Sequence, residues 1–385
     1  MTPGRPVPPP LAKPVTPVNT GSQDSDGGVL AAAYGATSAV SGLVPLTLAR
    51  RAPQAADVEI AIEFCGLCHS DVHAVRGEWG GQSYPLVPGH EIVGTVSRVG
   101  SAVTDFAPGH RVGVGCIVDS CRECGSCLDG LEQYCENGMT GTYGAIDRRN
   151  GDSITQGGYS STVTVDHRYV LRVPDSLDPA AVAPLLCAGV TTYSPLRHFD
   201  VEEGDVVGVV GLGGLGHMAV KLAKAMGAKV VVFTTSESKV PAALELGADE
   251  VVLSRDEAAM DAANRTIDLI IDTVAAPHDL NPLFRTLRVD GALFQLGLPS
   301  EAMPPVNPRA LIRRRIAYAG SLIGGIAETQ EMLDFCAEHG VVADIEVVRA
   351  DQLNEAYDRM VTGDVKYRFV LDTSTLQAPA EEADA

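Results

Sequence analysis

Short apolar runs punctuated by glycine and proline fill the first half of the chain. Residues 58–64, 92–99, 111–118, 159–165 and 169–173 are rich in β-branched and aromatic side chains and show little helical periodicity. The stretch from Val29 to about Leu177 is therefore predicted to be a mainly β domain. The texture changes after Pro184. Apolar strand runs at 206–210, 229–233, 251–253, 267–274, 292–297 and 316–322 now alternate with helical segments such as 215–226 and 240–246. Continuous apolar strands separated by helices are what a parallel sheet covered on both faces requires, so this half is predicted to be a doubly wound α/β domain. Beyond Ile323, a helix at 328–339 and further elements at 345–349, 353–362 and 369–371 are placed to close back on the first domain.

The first 28 residues follow neither pattern. Seven prolines by Pro17 and then a Gly/Ser/Asp run cannot bury enough apolar surface to offset chain entropy, which predicts a disordered tail. Docking of the prolines on a partner is the competing reading. The remaining length suits two domains. With 29 Lys+Arg against 49 Asp+Glu, a formal charge of -20, the chain has no broad basic surface for a phosphate backbone, and nucleic acid is excluded as a partner. No run approaches the roughly 18 apolar residues of a membrane span, and the start carries no hydrophobic signal core. The expectation is a soluble, cytoplasmic protein with no membrane partner.

The nine cysteines change the picture. Four fall within fifteen residues and the total is odd, which favours metal binding over disulfides. Cys121, Cys124, Cys127 and Cys135 have spacings x2, x2 and x7. Four thiolates on a short loop close a tetrahedral shell, the pattern of structural zinc. A [4Fe-4S] cluster competes, but such runs usually bring a proline after the last cysteine, and Glu136 stands there. A second set is dispersed: Cys68 in Gly-Leu-Cys-His-Ser-Asp, His90 and Glu91 in Pro-Gly-His-Glu, and Cys187 in Pro-Leu-Leu-Cys-Ala-Gly. Two thiolates and an imidazole leave one zinc position open to a substrate oxygen. Spacing alone does not assemble these three, and a lone Cys187 or His90 is more often part of a core.

Directly after the apolar run 206–210 come Gly211, Leu212, Gly213, Gly214, Leu215 and Gly216, then a helix and another strand. In that context G-x-G-x-x-G lets backbone amides and a helix N-terminus meet a pyrophosphate. Where an NAD site usually carries a carboxylate for the ribose hydroxyl, this chain has Thr234, Thr235, Ser236, Glu237, Ser238 and Lys239. Hydroxyls and a lysine suit a 2′-phosphate, which predicts NADP(H). A shift bringing Glu237 to the ribose would instead give NAD.

Together these motifs, with the closing run Gly-Asp-Val-Lys-Tyr-Arg-Phe at 363–369, resemble the zinc-containing medium-chain alcohol dehydrogenases, especially the cinnamyl-alcohol-dehydrogenase branch and its bacterial NADPH-dependent aldehyde reductases. The resemblance spans residues 58–371 and implies a two-lobed α/β fold. In it, a GroES-like, mainly β catalytic domain takes residues 29–177 and 324–375 and carries the structural zinc lobe. A doubly wound Rossmann domain takes 178–323, and 376–385 form a flexible tail.

The resemblance further implies two zinc ions per chain. Cys68, His90 and Cys187 would bind the catalytic one, with Glu91 as an alternate ligand. Ser70 would sit beside the reacting oxygen and His73 beyond the cofactor ribose, a proton relay to solvent. Asp71 is read as a local backbone-bonding residue or as one that orients the histidine ligand. Thr191, Thr273, Gly297, Ser321, Leu322 and Ile323 would follow the dinucleotide, and Trp79 would line the substrate pocket unless it is a buried core aromatic. A homodimer would form through residues 316–322. Cys65 reads as a small buried residue, Cys116 and Cys336 have no derivable role, and Arg313, Arg314 and Arg315 read as a solvated face.

The expected reaction is reversible hydride transfer between NADP(H) and a primary alcohol or aldehyde, running toward aldehyde reduction in the cell. NAD-dependent alcohol oxidation and a non-catalytic zinc and nucleotide sensor are the alternatives.

Overall fold

The computed structural model describes residues 28–377 except Asp152. The proline-rich tail, apart from Gly28, and the end of the C-terminal tail beyond Gln377 lie outside the described residues.

The first half is built around a seven-stranded sheet with the order Leu171–Arg172, Arg111–Val114, Ile92–Val99, Asp57–Gly66, Arg368–Asp372, Ile345–Val348. Thr162–Asp166 also pairs with the long strand Asp57–Gly66. That strand is the spine of the lobe: Val58, Ile60 and Cys65 are fully buried, and it pairs antiparallel with Ile92–Val99 and with Arg368–Asp372 near the end of the chain. The chain leaves this sheet, builds the second lobe and returns, so that Val370 lies opposite Gly66.

The second sheet has six parallel strands in the order Glu250–Leu253, Lys229–Thr234, Val206–Val210, Ile267–Asp272, Leu287–Gln295, Ala317–Gly320. Val206–Val210, which leads into the glycine motif, is buried at every position, as a strand covered on both faces must be. The order reverses beside it, and in open α/β sheets that switch point opens a crevice at the carboxyl ends of the strands.

Several elements differ from the sequence expectation for local reasons. The run at 111–118 is two strands, Arg111–Val114 and Ile117–Asp119, and the second pairs with Thr140–Gly141 beside the cysteine loop. The run at 159–165 becomes a strand only at Thr162. The run at 169–173 is the end of a 3-10 turn followed by the two-residue strand Leu171–Arg172. The run at 292–297 begins earlier, at Leu287, because Arg288, Val289 and Asp290 are exposed and break the apolar pattern. The hairpin Val29–Gly35 with Val44–Arg50 has alternating partial burial that the apolar runs did not reveal.

Candidate functional site

Three separate chain segments converge at the junction of the lobes. Cys68 caps the N-terminus of helix His69–Val75, and its amide donates to Asp71 Oδ2 at 2.9 Å. His90 and Glu91 immediately precede strand Ile92–Val99. Cys187 lies between a 3-10 turn and helix Ala188–His198. Donor atoms of Cys68, His90, Glu91 and Cys187 all lie within 4.8 Å of one another.

The surroundings orient this set. Asp71 Oδ1 accepts from His90 Nδ1 at 3.0 Å and from the Gly89 amide at 3.1 Å, and Tyr159 donates to Oδ2 at 3.3 Å. Asp71 thus bonds its local backbone and also fixes the His90 ring, leaving Nε2 as the free ligand nitrogen. Glu91 Oε1 accepts from the Arg368 guanidinium, which also donates to the Leu67 carbonyl at 2.8 Å. Burial pushes the Glu91 carboxyl up to about 7, against the opposing pull of Arg368. Glu91 Oε2 is buried with no hydrogen-bond donor among the described residues. Hydrogen bonding to Cys187 draws the Cys68 thiol well below its ordinary range. The Cys187 thiol is held up, first by its contact with Cys116 and then by Cys68. Cys116 is therefore a neighbour of this cluster, which its position in the sequence did not disclose.

This donor set suits zinc. Two thiols, an imidazole with its second nitrogen engaged and a buried carboxylate oxygen awaiting a cationic partner match the ligand types of a catalytic zinc. The packing leaves that oxygen its place only because residue 66 is glycine: a Cβ there would stand 1.9 Å from Glu91 Oε2.

The sulfurs of Cys121, Cys124, Cys127 and Cys135 form a second group within 4.8 Å. Three backbone amides point at them: Cys121 N to Cys135 Sγ, Cys124 N to Cys121 Sγ and Glu136 N to Cys124 Sγ, each at 3.4 Å. Such N–H···S bonds favour thiolates, and those from Glu123 and its neighbours bring the Cys121 thiol down to about 6. The set is four cysteine sulfurs, the ligand type and number of a closed structural zinc shell.

Ser70 and His73 lie three residues apart on helix His69–Val75, hence on one face. Both are partly exposed, and His73 Nδ1 lies 2.5 Å from Glu78 Oε2. Trp79 packs beside His73, ring centroids 5.3 Å apart. At 51% exposure it is not the buried core aromatic that was its alternative reading.

A cavity of about 290 Å³ runs past the glycine motif, bordered by Leu212, Gly213, Gly214, Lys239, Lys366 and Arg368. Gly211 has φ +86°, and a Cβ on Gly216 would meet the Gly211 carbonyl oxygen at 2.2 Å, whereas one on Gly213 would meet nothing. The turn thus needs its outer glycines for folding and presents Gly213 as open backbone to a ligand. Lys239 Nζ donates to the Leu212 carbonyl at 3.2 Å, so its charge lies over this turn. Ser236 and Ser238 hydroxyls pair at 2.8 Å, and Ser236 N donates to Thr234 Oγ1 at 3.2 Å. Thr235 and Glu237 are exposed beside them.

Of the other expected cofactor residues, Thr191 is buried one turn after Cys187, its amide donating to the Cys187 carbonyl at 2.9 Å. Thr273 Oγ1 donates to the Val210 carbonyl at 2.8 Å. Gly297 lies against the Val274 carbonyl, and Ser321, Leu322 and Ile323 follow the edge strand Ala317–Gly320. Arg368 went unnoticed in the sequence beyond its place in the closing run. It lies against Gly214 on one side and Glu91 on the other, so one cation touches both the glycine turn and the cysteine and histidine cluster. Its signal was a lone arginine opening the apolar run Phe369–Leu371.

Of the remaining expectations, Cys65 is fully buried. Arg314 is not merely solvated: its guanidinium donates to the Arg285 and Leu287 carbonyls at 2.7 and 2.9 Å. Arg315 pairs with Asp290.

Residues 54–175 match the alcohol dehydrogenase GroES-like domain, and residues 214–338 match the zinc-binding dehydrogenase family. The chain is 58% identical to aldehyde reductase YahK of Escherichia coli (strain K12), over 89% of this chain and 98% of that one. It is 54% identical to NADP-dependent alcohol dehydrogenase C 1 of Mycolicibacterium smegmatis, over 90% and 99%. Among solved structures, a cinnamyl alcohol dehydrogenase from Sorghum bicolor aligns with a TM-score of 0.88 at 46% identity, covering 91% of this chain and 99% of that one. The CAD from Helicobacter pylori complexed with NADP(H) aligns at 0.85 and 38%, covering 91% and 100%.

Proposed function

The chain belongs to the alcohol dehydrogenase family that joins a GroES-like domain to a zinc-binding dehydrogenase domain, and we propose that Cys68, His90 and Cys187, with Glu91 in reserve, form its catalytic zinc site. It is a zinc- and NADP(H)-dependent oxidoreductase that interconverts alcohols and aldehydes. The observation that carries the site reading is Arg368, which bridges the four-donor cluster and the glycine turn and so brings metal site and dinucleotide cleft into one reaction space.

When bound, zinc supplies a Lewis acid for the carbonyl oxygen and the dinucleotide supplies or accepts the hydride. The chain's own residues do the rest. The amides around Gly213 and the charges of Arg368 and Lys366 hold the pyrophosphate in a protein whose overall charge is negative. Thr235, Ser236 and Lys239 select the 2′-phosphate. Thr191 and the backbone from Ser321 to Ile323 fix the nicotinamide end, and Thr273 and Gly297 shape the wall between. Ser70 passes a proton to or from the substrate oxygen, and His73, steadied by Glu78, exchanges it with solvent. Cys121, Cys124, Cys127 and Cys135 hold a structural zinc.

The catalytic domain comprises residues 29–177 and 324–375 and the dinucleotide domain 178–323. This division is supported by the pairing of Arg368–Asp372 with Asp57–Gly66. The substrate is a small primary alcohol or aldehyde, with Trp79 at the pocket mouth, and the cellular direction is aldehyde reduction. A homodimer forming along edge strand Ala317–Gly320 is supported by exposed Tyr318, Leu322 and Ile312. All nine cysteines are free, which supports a reducing cytoplasmic location.

Steady-state reduction of an aldehyde panel by zinc-loaded protein, with NADPH and NADH compared, tests this reading. Turnover with NADPH well above NADH is expected. Preference for NADH would move the ribose contact to exposed Glu237, and absence of turnover with both would overturn the proposal.

A further inference from the structure

The x7 spacer of the four-cysteine loop carries more than a metal shell requires. Within it, Glu132 Oε2 accepts from the Ile326 amide at 3.1 Å, and Tyr134 Oη accepts from the Leu322 amide at 3.1 Å. Both partners belong to the short segment that leaves the edge strand Ala317–Gly320 and begins helix Ile326–His339. That helix has Gly325 at its N-cap and no side-chain cap of its own. A carboxylate donated from 194 positions away fills the vacancy and meets the positive end of the helix.

The segment also runs through a narrow slot. A Cβ on Gly325 would stand 1.9 Å from the Gly130 carbonyl oxygen of the cysteine loop, and one on Gly324 would stand 2.4 Å from Val190, on the helix that follows Cys187. Between these walls Ile323 adopts φ +39°, a conformation that a β-branched residue holds only when its surroundings impose it. Ile323 packs against the hydrophobic cores of both lobes.

From these contacts we infer that the four-cysteine loop is a clamp on the crossover between the lobes. Through Glu132 and Tyr134 it holds residues 322–326 in the strained path that forms one wall of the dinucleotide cleft, and thereby sets the affinity for NADP(H). Glu132 and Tyr134 are positioning residues, acting through the backbone of Leu322, Ile323 and Ile326. The inference rests on the reading, given above, that Ser321 to Ile323 touch the dinucleotide.

Three variants of the zinc-loaded full chain test it: Glu132→Ala, Tyr134→Phe and Glu132→Gln. Hydrogen exchange is followed on a peptide covering residues 319–327, NADPH affinity by fluorescence titration, and metal content by elemental analysis. Loss of a helix cap corresponds to about tenfold in an equilibrium constant. Glu132→Ala is therefore expected to speed exchange in that peptide and raise the NADPH Kd by about tenfold, with two zinc ions per chain retained. Tyr134→Phe should act in the same direction, and Glu132→Gln, which keeps an acceptor oxygen, should stay near wild type. Unchanged exchange in both Glu132→Ala and Tyr134→Phe overturns the clamp. Faster exchange with unchanged NADPH affinity overturns the coupling and removes residues 321–323 from the dinucleotide site, while the oxidoreductase reading stands on wild-type turnover.

Discussion

His90 and Asp71 are joined by a 3.0 Å hydrogen bond from Nδ1 to Oδ1, and Asp71, in the first turn of helix His69–Val75, is fully buried. The carboxylate selects the tautomer that presents Nε2 and holds the ring still. Partners of this kind typically change metal affinity by about 10–100-fold when lost. Asp71→Asn is expected to release one of two zinc ions by about that factor more readily, leaving the four-thiolate site loaded. Dialysis against a mild chelator followed by metal analysis checks this, and equal loss from both sites would show that the substitution acts on the fold.

Arg368 and Glu91 form an ion pair with side chains 6% and 0% exposed. Removing one member of a buried pair leaves an uncompensated charge and costs about 3–5 kcal/mol. Arg368→Gln is expected to lower stability by that order and to raise the NADPH KM, because the same guanidinium borders Gly214. Adding Glu91→Gln should recover part of the stability and none of the KM, which denaturant titration and steady-state kinetics separate.

How much of this was legible in the chain follows a physical line. The glycine turn and the four-cysteine loop announce themselves because each is one contiguous segment whose backbone or spacing is demanded by its chemistry. The parallel sheet reads well for the same reason: Val206–Val210 is apolar at every position. Cys68, His90 and Cys187 have no such local mark. Their convergence depends on three segments far apart in the chain meeting in the fold, and only the resemblance to known dehydrogenases brought them together in advance. Arg368 and Cys116 escaped altogether, since a single arginine at the start of a strand, or a single cysteine in the bend between two strands, carries no period or spacing. The strand Leu287–Gln295 was cut short by the same logic, its exposed Arg288 pairing with Asp268 instead of signalling burial.

Coenzyme choice rests on the loop from Thr234 to Lys239. A charge-assisted hydrogen bond to a phosphate contributes about 1.5–3 kcal/mol. Lys239→Ala is expected to lower kcat/KM with NADPH by about tenfold or more, by the same arithmetic, while changing the NADH value much less. Equal losses with both coenzymes would place Lys239 on the shared pyrophosphate, over the glycine turn where its Nζ meets Leu212.

His217 follows the last glycine of that turn, fully buried and stacked on Tyr367 with ring centroids 5.0 Å apart and planes at 12°. Among the described residues neither ring nitrogen makes a well-formed hydrogen bond, the Gly214 backbone being a polar group close to the ring. Burial, then the charges of Arg368 and Lys221, lower its pKa to about 3, with Asp344 opposing. An unfolded chain binds this proton at about pH 6.5, so between about 6.5 and 3 the unfolded state holds more protons than the folded one. Stability is therefore fully present above pH 6.5 and is lost as the pH falls, by at most about 1.4 kcal/mol per pH unit for one group. His217→Phe keeps a stacking ring and removes the titration. Its unfolding free energy should decline less steeply than wild type between pH 6 and pH 4, and parallel curves would mean that the imidazole is hydrated in the folded protein.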